Sequence, residues 1–256
     1  MPPIYVSNLA MTDPGDAPFV PNLQRGLFMN FNARLDAPNN DQVVSKITTR
    51  GSAPTLDRTF DKKRGTTFTF PVSVGGADPF LQFAGTQSLA NSNMEGSVSN
   101  PYVLLSNELS IAMRVRIHDW TGPSTAGFLR GVVSRTAALR PGSAGEEGTF
   151  IIAGGNSATN VTVSTNVKTN EWSVIVIAYS ATTPNLLLAG SSNIGEFTMA
   201  PGTSLQGFGF ATNITNAAVL GSKFDLSHFA VWDRSIFSDE ILNLRNIWES
   251  GGDLQL

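Results

Sequence analysis

The sequence LSIAMRVRI, residues 109–117, alternates apolar residues with small or charged ones along its whole length. This alternation is typical of a β-strand with one buried face, because successive side chains of a strand point to opposite faces. We therefore predict a strand that buries one face and presents Arg114 and Arg116 on the other, to solvent or to a partner. The side chains on the buried face are Leu109, Ile111, Met113, Val115 and Ile117.

Shorter stretches that are alternating or mostly apolar lie before and after this strand in the sequence. The run over residues 172–179 is nearly all apolar, which predicts a strand covered on both faces. Many short strands with a single late helix predict an all-β fold, an antiparallel β-sandwich of the jelly-roll kind. The further strands are predicted near residues 27–32, 68–74, 80–83, 128–133, 150–152, 161–163, 186–188, 205–210 and 224–232.

One short helix is predicted near residue 240. Ser238 is expected to be its N-cap, since a serine side chain can accept a hydrogen bond from a free N–H of the first turn. Gly251 and Gly252 predict its end. Acidic residues in the first turn suit the helix dipole, and apolar residues recur at helical spacing; these are Asp239, Glu240, Ile241, Leu244 and Trp248.

Four segments resemble, in the same order, motifs of concanavalin A-like jelly-roll domains of the laminin-G and pentraxin type. They are LQFAGTQSL at 81–89, ELSIAMRVRI at 108–117, EWSVIVIAYS at 171–180 with NLLLAGS at 185–191, and FDLSHFAVWDRSIFSDEILNL at 224–244. The resemblance covers nearly the whole chain and implies the fold. It carries little information on function, because one fold hosts many functions.

Calcium-binding members of that family carry acidic residues around the turn of the first segment. The corresponding residues here are Ala84 and Gln87 or Ser88. Since calcium takes about six to eight oxygen ligands, many of them carboxylates, we expect no calcium at this turn. A second oxygen-rich segment, residues 36–41, lacks the spacing of a calcium loop and is interpreted as an Asx-rich turn. We expect no metal and no cofactor.

Composition limits the partners. The net charge is −3 and only 14% of residues are charged, so nucleic acid is not an expected partner. No apolar run reaches about 18 residues, and we expect no membrane insertion. The chain has no cysteine, which fits synthesis in a reducing cytoplasm, and no signal peptide is recognised. A surface poor in charge is weakly protected against association, so we expect a homo-oligomer.

The first 23 residues differ from the rest. They contain five prolines, at positions 2, 3, 14, 18 and 21, and proline cannot donate to a β-ladder. We predict an extended arm over residues 1–23 and one jelly-roll domain over residues 24–256. The arm could dock onto a neighbouring subunit, lie on its own domain or be a disordered tail.

The sequence lacks the patterns typical of catalysis. Retaining glycosidases need two carboxyl groups about 5 Å apart, which a spacing of two residues along a strand provides, and no predicted strand has that spacing. Glu146 and Glu147 are adjacent in a glycine-rich loop. His118 is expected to pair with its neighbour Asp119, and no nucleophile elbow accompanies it or His228. We therefore predict that the protein is not an enzyme.

Domains of the family that this chain resembles often bind glycans or proteins through edge loops, and sugar rings stack on aromatic side chains. We therefore name Trp120, Asp119 and Tyr102, at predicted loops, as candidate ligand-binding residues. The alternative for Trp120 is that it folds back onto the edge of the sandwich, because large aromatic side chains are usually mostly buried. The tryptophans assigned to the core are Trp172, Trp232 and Trp248.

Two functions fit these features. The first is a non-enzymatic structural or adhesion component of a virion, such as a bacteriophage decoration, fibre or tail-associated protein. Such a protein would be made in the host cytoplasm, reside in the virion, and contact other virion subunits or a host-surface glycan. The second is a free carbohydrate-binding module or lectin. Neither involves nucleic acid.

Overall fold

The structure of the protein, a computed structural model, describes residues 22–36, 46–51, 59–62, 72–73, 80–85, 89–91, 102–103, 108–121, 127–132, 138–142, 145–153, 160–180, 184–190, 193–198, 204–205, 207–211 and 222–254. These residues confirm the predicted all-β sandwich with a short helix after its last strand. The predicted arm lies outside them except for Asn22 and Leu23. So does most of the predicted strand at 68–74, of which residues 72–73 are described.

The described elements follow the chain in this order: β1 (Leu27–Asn32), α1 (Ala33–Asp36), β2 (Lys46–Thr48), β3 (Thr59–Lys62), β4 (Val72–Ser73), β5 (Phe80–Ala84), β6 (Leu89–Asn91), β7 (Tyr102–Val103), β8 (Leu109–Ile117), β9 (Leu129–Val132), β10 (Ala138–Pro141), β11 (Thr149–Ala153), β12 (Asn160–Ser164), β13 (Trp172–Tyr179), β14 (Asn185–Ala189), β15 (Gly195–Phe197), β16 (Ser204–Leu205), β17 (Gly207–Phe210), β18 (Lys223–Trp232) and α2 (Ser238–Glu249). Neither helix is long and apolar enough to cross a membrane.

Two eight-stranded sheets form the sandwich. The front sheet has the order β15-β14-β13-β8-β18-β5-β4, with β1 also paired to β18. The back sheet has the order β12-β11-β10-β9-β17-β6-β3-β2. Strands β7 and β16 form a separate antiparallel pair. The central strands of the front sheet, β13, β8, β18 and β5, come from four distant parts of the chain, so their side chains become neighbours only in the folded sheet.

The strand predicted over residues 109–117 is confirmed with the same bounds. It is β8, and it lies between β13 and β18 in the middle of the front sheet. Its five apolar side chains all belong to the buried core between the two sheets. Aromatic side chains contributed by both sheets fill that core. Phe83 and Phe224 stack with ring centroids 4.5 Å apart, and Phe210 meets Phe229 edge to face at 4.9 Å.

The outer face of the front sheet carries a second core. Helix α2 packs on it through Ile241, Leu244 and Trp248, each 0% exposed. The strand side chains beneath the helix are small or branched, which lets the helix approach closely; they are Ala112, Val174, Val176, Ala178 and Ala230. Strand β13 is therefore covered on both faces for most of its length, as its nearly continuous apolar sequence predicted.

Helix α2 starts differently from the prediction. The N-cap is Phe237, and Ser238 is the first helical residue. The N–H of Phe237 donates to the carboxylate of Glu240 at 2.9 Å, so a side chain from inside the first turn satisfies it. The prediction of Ser238 as the N-cap was therefore wrong by one position. Gly251 has a φ of 76° after the helix, and this left-handed conformation is the helix end that the glycine predicted.

The four-residue helix α1 was not predicted. Asn32 and Asp36 form it by local capping, because the side chain of Asn32 accepts from Arg34 N–H at 2.9 Å and Asp36 accepts from Asn32 N–H at 2.7 Å. Arg50 then binds Asp36 at 2.8 Å and Asp253 at 2.8 Å. Burial raises the pKa of Asp36. Asp36 thus accepts the N–H of Asn32 and takes part in an ion pair. Residues 37–41 of the oxygen-rich segment, predicted to form an Asx-rich turn, lie outside the described residues.

The segment before β1 and the segment after α2 both contribute to the second core. The backbone carbonyl of Leu23 accepts from Trp232 Nε1 at 2.7 Å. The carbonyl of Leu254 accepts from Asn30 Nδ2 at 3.0 Å. Both leucine side chains are buried in the same cluster as α2. The residues before β1 and those after α2 therefore pack into one apolar cluster.

Candidate ligand-binding surface

A row of four side chains crosses the part of the outer face that α2 leaves uncovered. In the register of the front sheet, Trp172 of β13 pairs with Arg116 of β8, Arg116 pairs with Asp225 of β18, and Asp225 pairs with Gln82 of β5. Laterally paired residues of a sheet project to the same face. We call these four residues, Trp172, Arg116, Asp225 and Gln82, the front-face row.

Arg116 is held in the middle of the row by charge and by aromatic rings. Its Nε and Nη2 donate to Oδ2 of Asp225 at 2.8 Å and 2.6 Å. Its guanidinium carbon lies 4.9 Å from the ring centre of Phe80 and 5.0 Å from that of Trp172, within the range of cation–π attraction. The side chain is 29% exposed. The guanidinium therefore has a fixed position and still reaches solvent.

Arg114 lies under the same indole. It is buried, with its guanidinium carbon 4.7 Å from the ring centre of Trp172 and its Nη1 3.3 Å from Ser227 Oγ. The prediction that both arginines of β8 would face solvent or a partner is thus wrong for Arg114. The alternation of β8 gave the correct face, but a sequence pattern could not show that Trp172 and β18 cover this arginine.

Asp225 is the buried anchor of the row. Its side chain is 0% exposed, and Oδ2 also lies 2.9 Å from Nε2 of His118. The other nitrogen of that imidazole, Nδ1, is 2.6 Å from Oδ1 of Asn170. Oδ1 of Asp225 has no hydrogen-bond partner in the described part of the chain. A carboxylate buried in this way needs the charge of Arg116, and it ties Arg116 and His118 to one point.

The predicted pair of His118 and Asp119 does not form. Asp119 accepts instead from the N–H and hydroxyl of Thr121 at 2.8 Å and 2.6 Å and lies 3.3 Å from Nζ of Lys223. The hydrogen bonds from Thr121 lower the pKa of Asp119, and Lys223 adds to this effect. Asp119, named as a candidate ligand-binding residue, is thus a partly exposed carboxylate that stabilises its own loop.

Trp120, the other candidate in this loop, is buried and 4% exposed. Its ring meets Phe128 and Phe150 edge to face, with centroids 6.1 Å and 5.0 Å away. Its Nε1 donates to Thr169 Oγ1 at 3.1 Å. The indole therefore contacts the core between the sheets, which corresponds to the alternative that it folds back onto the sandwich.

Tyr102, the third candidate, lies in β7, and its backbone pairs with Leu205 of β16.

Trp172 differs from its prediction as a core residue. It is only half-buried, because it is the first residue of β13 and α2 covers the positions that follow it. Trp232 and Trp248 are 0% exposed, as predicted. Trp172 is therefore the partly exposed tryptophan of the front-face row, although its sequence context predicted a core position.

One of the two acidic residues of the glycine-rich loop, Glu147, has structural partners. Glu147 Oε1 accepts from the backbone N–H of Thr169 at 2.6 Å, and its other oxygen lies 3.5 Å from Nζ of Lys168. The bond from Thr169 lowers the pKa of Glu147. Among the described residues, no group of three or more histidines or acidic residues is arranged to hold a metal ion.

The fold has counterparts among solved structures. One is a Trypanosoma rangeli sialidase in complex with sialic acid, with a TM-score of 0.55 and 12% identity over 89% of this chain and 34% of that chain. Another is the botulinum neurotoxin serotype G binding domain, with a TM-score of 0.52 and 12% identity over 89% of this chain and 52% of that chain. This chain thus spans about a third and about half of these two.

A counterpart of matching length is domain 4 of AbnA, a GH43 extracellular arabinanase from Geobacillus stearothermophilus, in complex with arabinotriose. Its TM-score is 0.54 and its identity 12%, over 87% of this chain and 99% of that one. No protein-family model and no curated protein sequence matches this chain. At these identities the likeness shows the fold alone, a lectin-like β-sandwich, in agreement with the resemblance found in the sequence.

Proposed function

We propose that this chain is a carbohydrate-binding domain that acts by contact rather than by catalysis, and that the front-face row is its binding surface. The observation that carries the proposal is the half-buried indole of Trp172 beside the fixed guanidinium of Arg116. Sugars present apolar C–H faces and many hydroxyl groups. A surface that binds them combines an aromatic ring with hydrogen-bonding groups of fixed position.

The front-face row and the neighbouring Phe80 supply both kinds of group. Trp172 and Phe80 offer aromatic surface, with their ring centroids 5.8 Å apart. Arg116 and Gln82 offer donors and an acceptor for hydroxyl groups. All four residues belong to paired strands rather than to loops, and Asp225 holds Arg116 by two short hydrogen bonds. Such preorganisation reduces the entropy that binding must overcome.

Among the described residues, helix α2 covers much of the outer face through Ile241, Leu244 and Trp248. The row lies beside the helix, with His118 and the exposed Asn170 at one side of it. Two of the solved counterparts carry sialic acid or arabinotriose in their complexes, and this favours the carbohydrate-binding proposal without indicating which sugar binds here.

We predict that Trp172→Ala weakens glycan binding at least about tenfold, the loss typical of an aromatic residue at the centre of a binding site. A glycan array identifies a ligand for the wild-type chain, and isothermal titration then gives its affinity for each variant. Trp172→Tyr keeps an aromatic ring and should retain much of the affinity.

Phe237→Ala is the matched control, because Phe237 is an aromatic side chain with 62% exposure that lies outside the row. It should bind like the wild type. Circular dichroism of each variant shows whether the fold is retained. Equal affinities for a folded Trp172→Ala variant and the wild type would contradict the proposed site. No glycan binding by the wild type would contradict the proposed function.

The virion role predicted from the sequence remains a proposal beside this one. It rests on the low charge and the proline-rich residues 1–23. In a phage particle, the same surface would serve adhesion to a host glycan. Mass spectrometry of purified virions tests this role, and we expect peptides of this chain among the structural proteins. If none is found, the chain acts outside the particle, and the alternative of a free lectin is the one to keep.

A further inference from the structure

We propose that two copies of this chain associate through β12, the edge strand of the back sheet, and form a symmetric antiparallel dimer in which the two back sheets become one. Among the described strands, β12 is the last of that sheet, and it pairs with β11. An unpaired strand edge is a template for another chain, and proteins usually protect it. This association is independent of the carbohydrate-binding proposal, since the front-face row lies on the other sheet.

The hydrogen bonds of β11 define which backbone groups of β12 face the open edge. Thr165 N–H donates to the carbonyl of Gly148 at 2.8 Å, so this pair lies at a hydrogen-bonded position of the ladder. Hydrogen-bonded pairs alternate along an antiparallel ladder. In the register of these strands, Val163 and Val161 therefore bond to β11. The N–H and C=O groups of residues 160, 162 and 164 point away from β11, towards the open edge.

The side chains of β12 do not block that edge. The strand reads NVTVS and has neither charge nor proline, the residues that most often protect edges. Asn160, Thr162 and Ser164 are exposed, while Val161 and Val163 are half-buried and pack against the core between the sheets. A second strand placed beside β12 would complete the burial of the two valines.

The strand is also complementary to itself. A two-fold axis at Thr162 would place Thr162 opposite its own copy, with Asn160 opposite Ser164 and Val161 opposite Val163. The three residues with outward backbone groups would then all sit in hydrogen-bonded pairs, and no like charges would face each other. Threonine pairs and β-branched apolar pairs are favourable across strands.

The other described edge strands are less suited to pairing with a second copy than β12. Strand β15 has three residues and carries the exposed Glu196, β4 has two residues, and β2 has three, with Lys46 at its first position. A single edge buries less surface than the roughly 1,600 Å² of a standard complex. We therefore expect a weak dimer, with a dissociation constant of about 1–100 μM.

Sedimentation velocity at graded concentrations tests the association. The wild type should shift from monomer towards dimer, while Thr162→Pro should remain monomeric. Proline at this position removes an N–H that faces the open edge and leaves the bonds to β11 intact. Thr162→Val keeps that N–H and should dimerise like the wild type. A wild type that stays monomeric up to about 1 mM, or a Thr162→Pro variant that dimerises as well as the wild type, would overturn the proposal.

Cysteine crosslinking tests the register, because the chain has no cysteine of its own. In the proposed dimer the two copies of Thr162 are directly opposite, about 5.5 Å apart between Cα atoms, within the range of a disulfide. Thr162→Cys should therefore form a crosslinked dimer under mild oxidation. Asn160→Cys is the matched control, since each Asn160 faces Ser164 of the other copy. Equal crosslinking of both variants would contradict this register.

Discussion

Glu240→Ala should lower the free energy of unfolding by about 3–5 kcal/mol, the cost of breaking a buried ion pair by removing one partner. Glu240 is 2% exposed and binds Arg234 through two hydrogen bonds of 2.7 Å and 2.6 Å. The substitution would leave the guanidinium of Arg234, 15% exposed, without its counter-ion. It would also remove the acceptor of Phe237 N–H at the start of α2.

The destabilisation caused by Glu240→Ala should extend beyond helix α2. Arg234 also donates to the backbone carbonyls of Arg25 at 2.7 Å and Asn22 at 2.9 Å. An arginine that has lost Glu240 holds this segment less firmly, so amide hydrogen exchange in residues 22–27 should speed up along with that of α2. Equilibrium denaturation in urea measures the stability change.

Asp239→Ala is the control for Glu240→Ala. Asp239 lies in the same turn, but its side chain is exposed, and it contributes through the helix dipole alone. Its loss should cost about 0.3–1 kcal/mol. A Glu240→Ala variant no less stable than Asp239→Ala would show that the buried ion pair contributes nothing net to the fold.

Trp248→Ala should destabilise the protein by about 3–5 kcal/mol as well, the usual cost of truncating a fully buried tryptophan. Trp248 is 0% exposed, and its ring stacks on His228 with centroids 5.2 Å apart. The substitution would open a cavity between α2 and the front sheet, where the second core is only one side chain deep.

Trp248→Phe separates packing from hydrogen bonding. The indole Nε1 of Trp248 is buried without a hydrogen-bond partner in the described residues, and an unsatisfied donor of this kind costs about 1–3 kcal/mol. Phenylalanine removes that donor and keeps an aromatic ring, so Trp248→Phe should cost much less than Trp248→Ala. Leu242→Ala, at a position with 38% exposure on the same helix, is the control and should change the urea midpoint little.

The sequence predicted best those features that depend on one segment. The alternation of Leu109–Ile117 gave a strand with the observed bounds, because one buried face imposes its period directly on the chain. The apolar spacing of α2 gave the helix and its buried face. The N-cap was missed because a carboxylate three residues inside the helix, Glu240, satisfies the N–H of Phe237.

Features that depend on the pairing of distant segments could not be predicted. The front-face row joins β5, β8, β13 and β18, and its members become neighbours only in the register of the sheet. Asp225 lies on β18, and its partners Arg116 and His118 lie at the end of β8, far away in the sequence. A signal for Trp172 did exist, since it follows the polar residues Asn170 and Glu171 at the very start of its strand.

For Trp120, the sequence pattern indicated exposure, and the structure shows burial. Trp120 follows a strand in a loop of polar residues, and such a position indicates exposure. The structure instead packs its ring edge to face against Phe128 and Phe150. Whether an aromatic residue at a loop turns inward depends on space left by other strands, and a single sequence contains no measure of that space.

Leu23 and Leu254 are anchored in the same way. The carbonyls of both residues are fixed to side chains of the front sheet, from Trp232 and Asn30, and both side chains share one apolar cluster. Loss of either segment would uncover apolar side chains of that shared cluster. The segment before β1 and the segment after α2 therefore belong to one cooperative unit of the fold, and each should open only when the other is weakened.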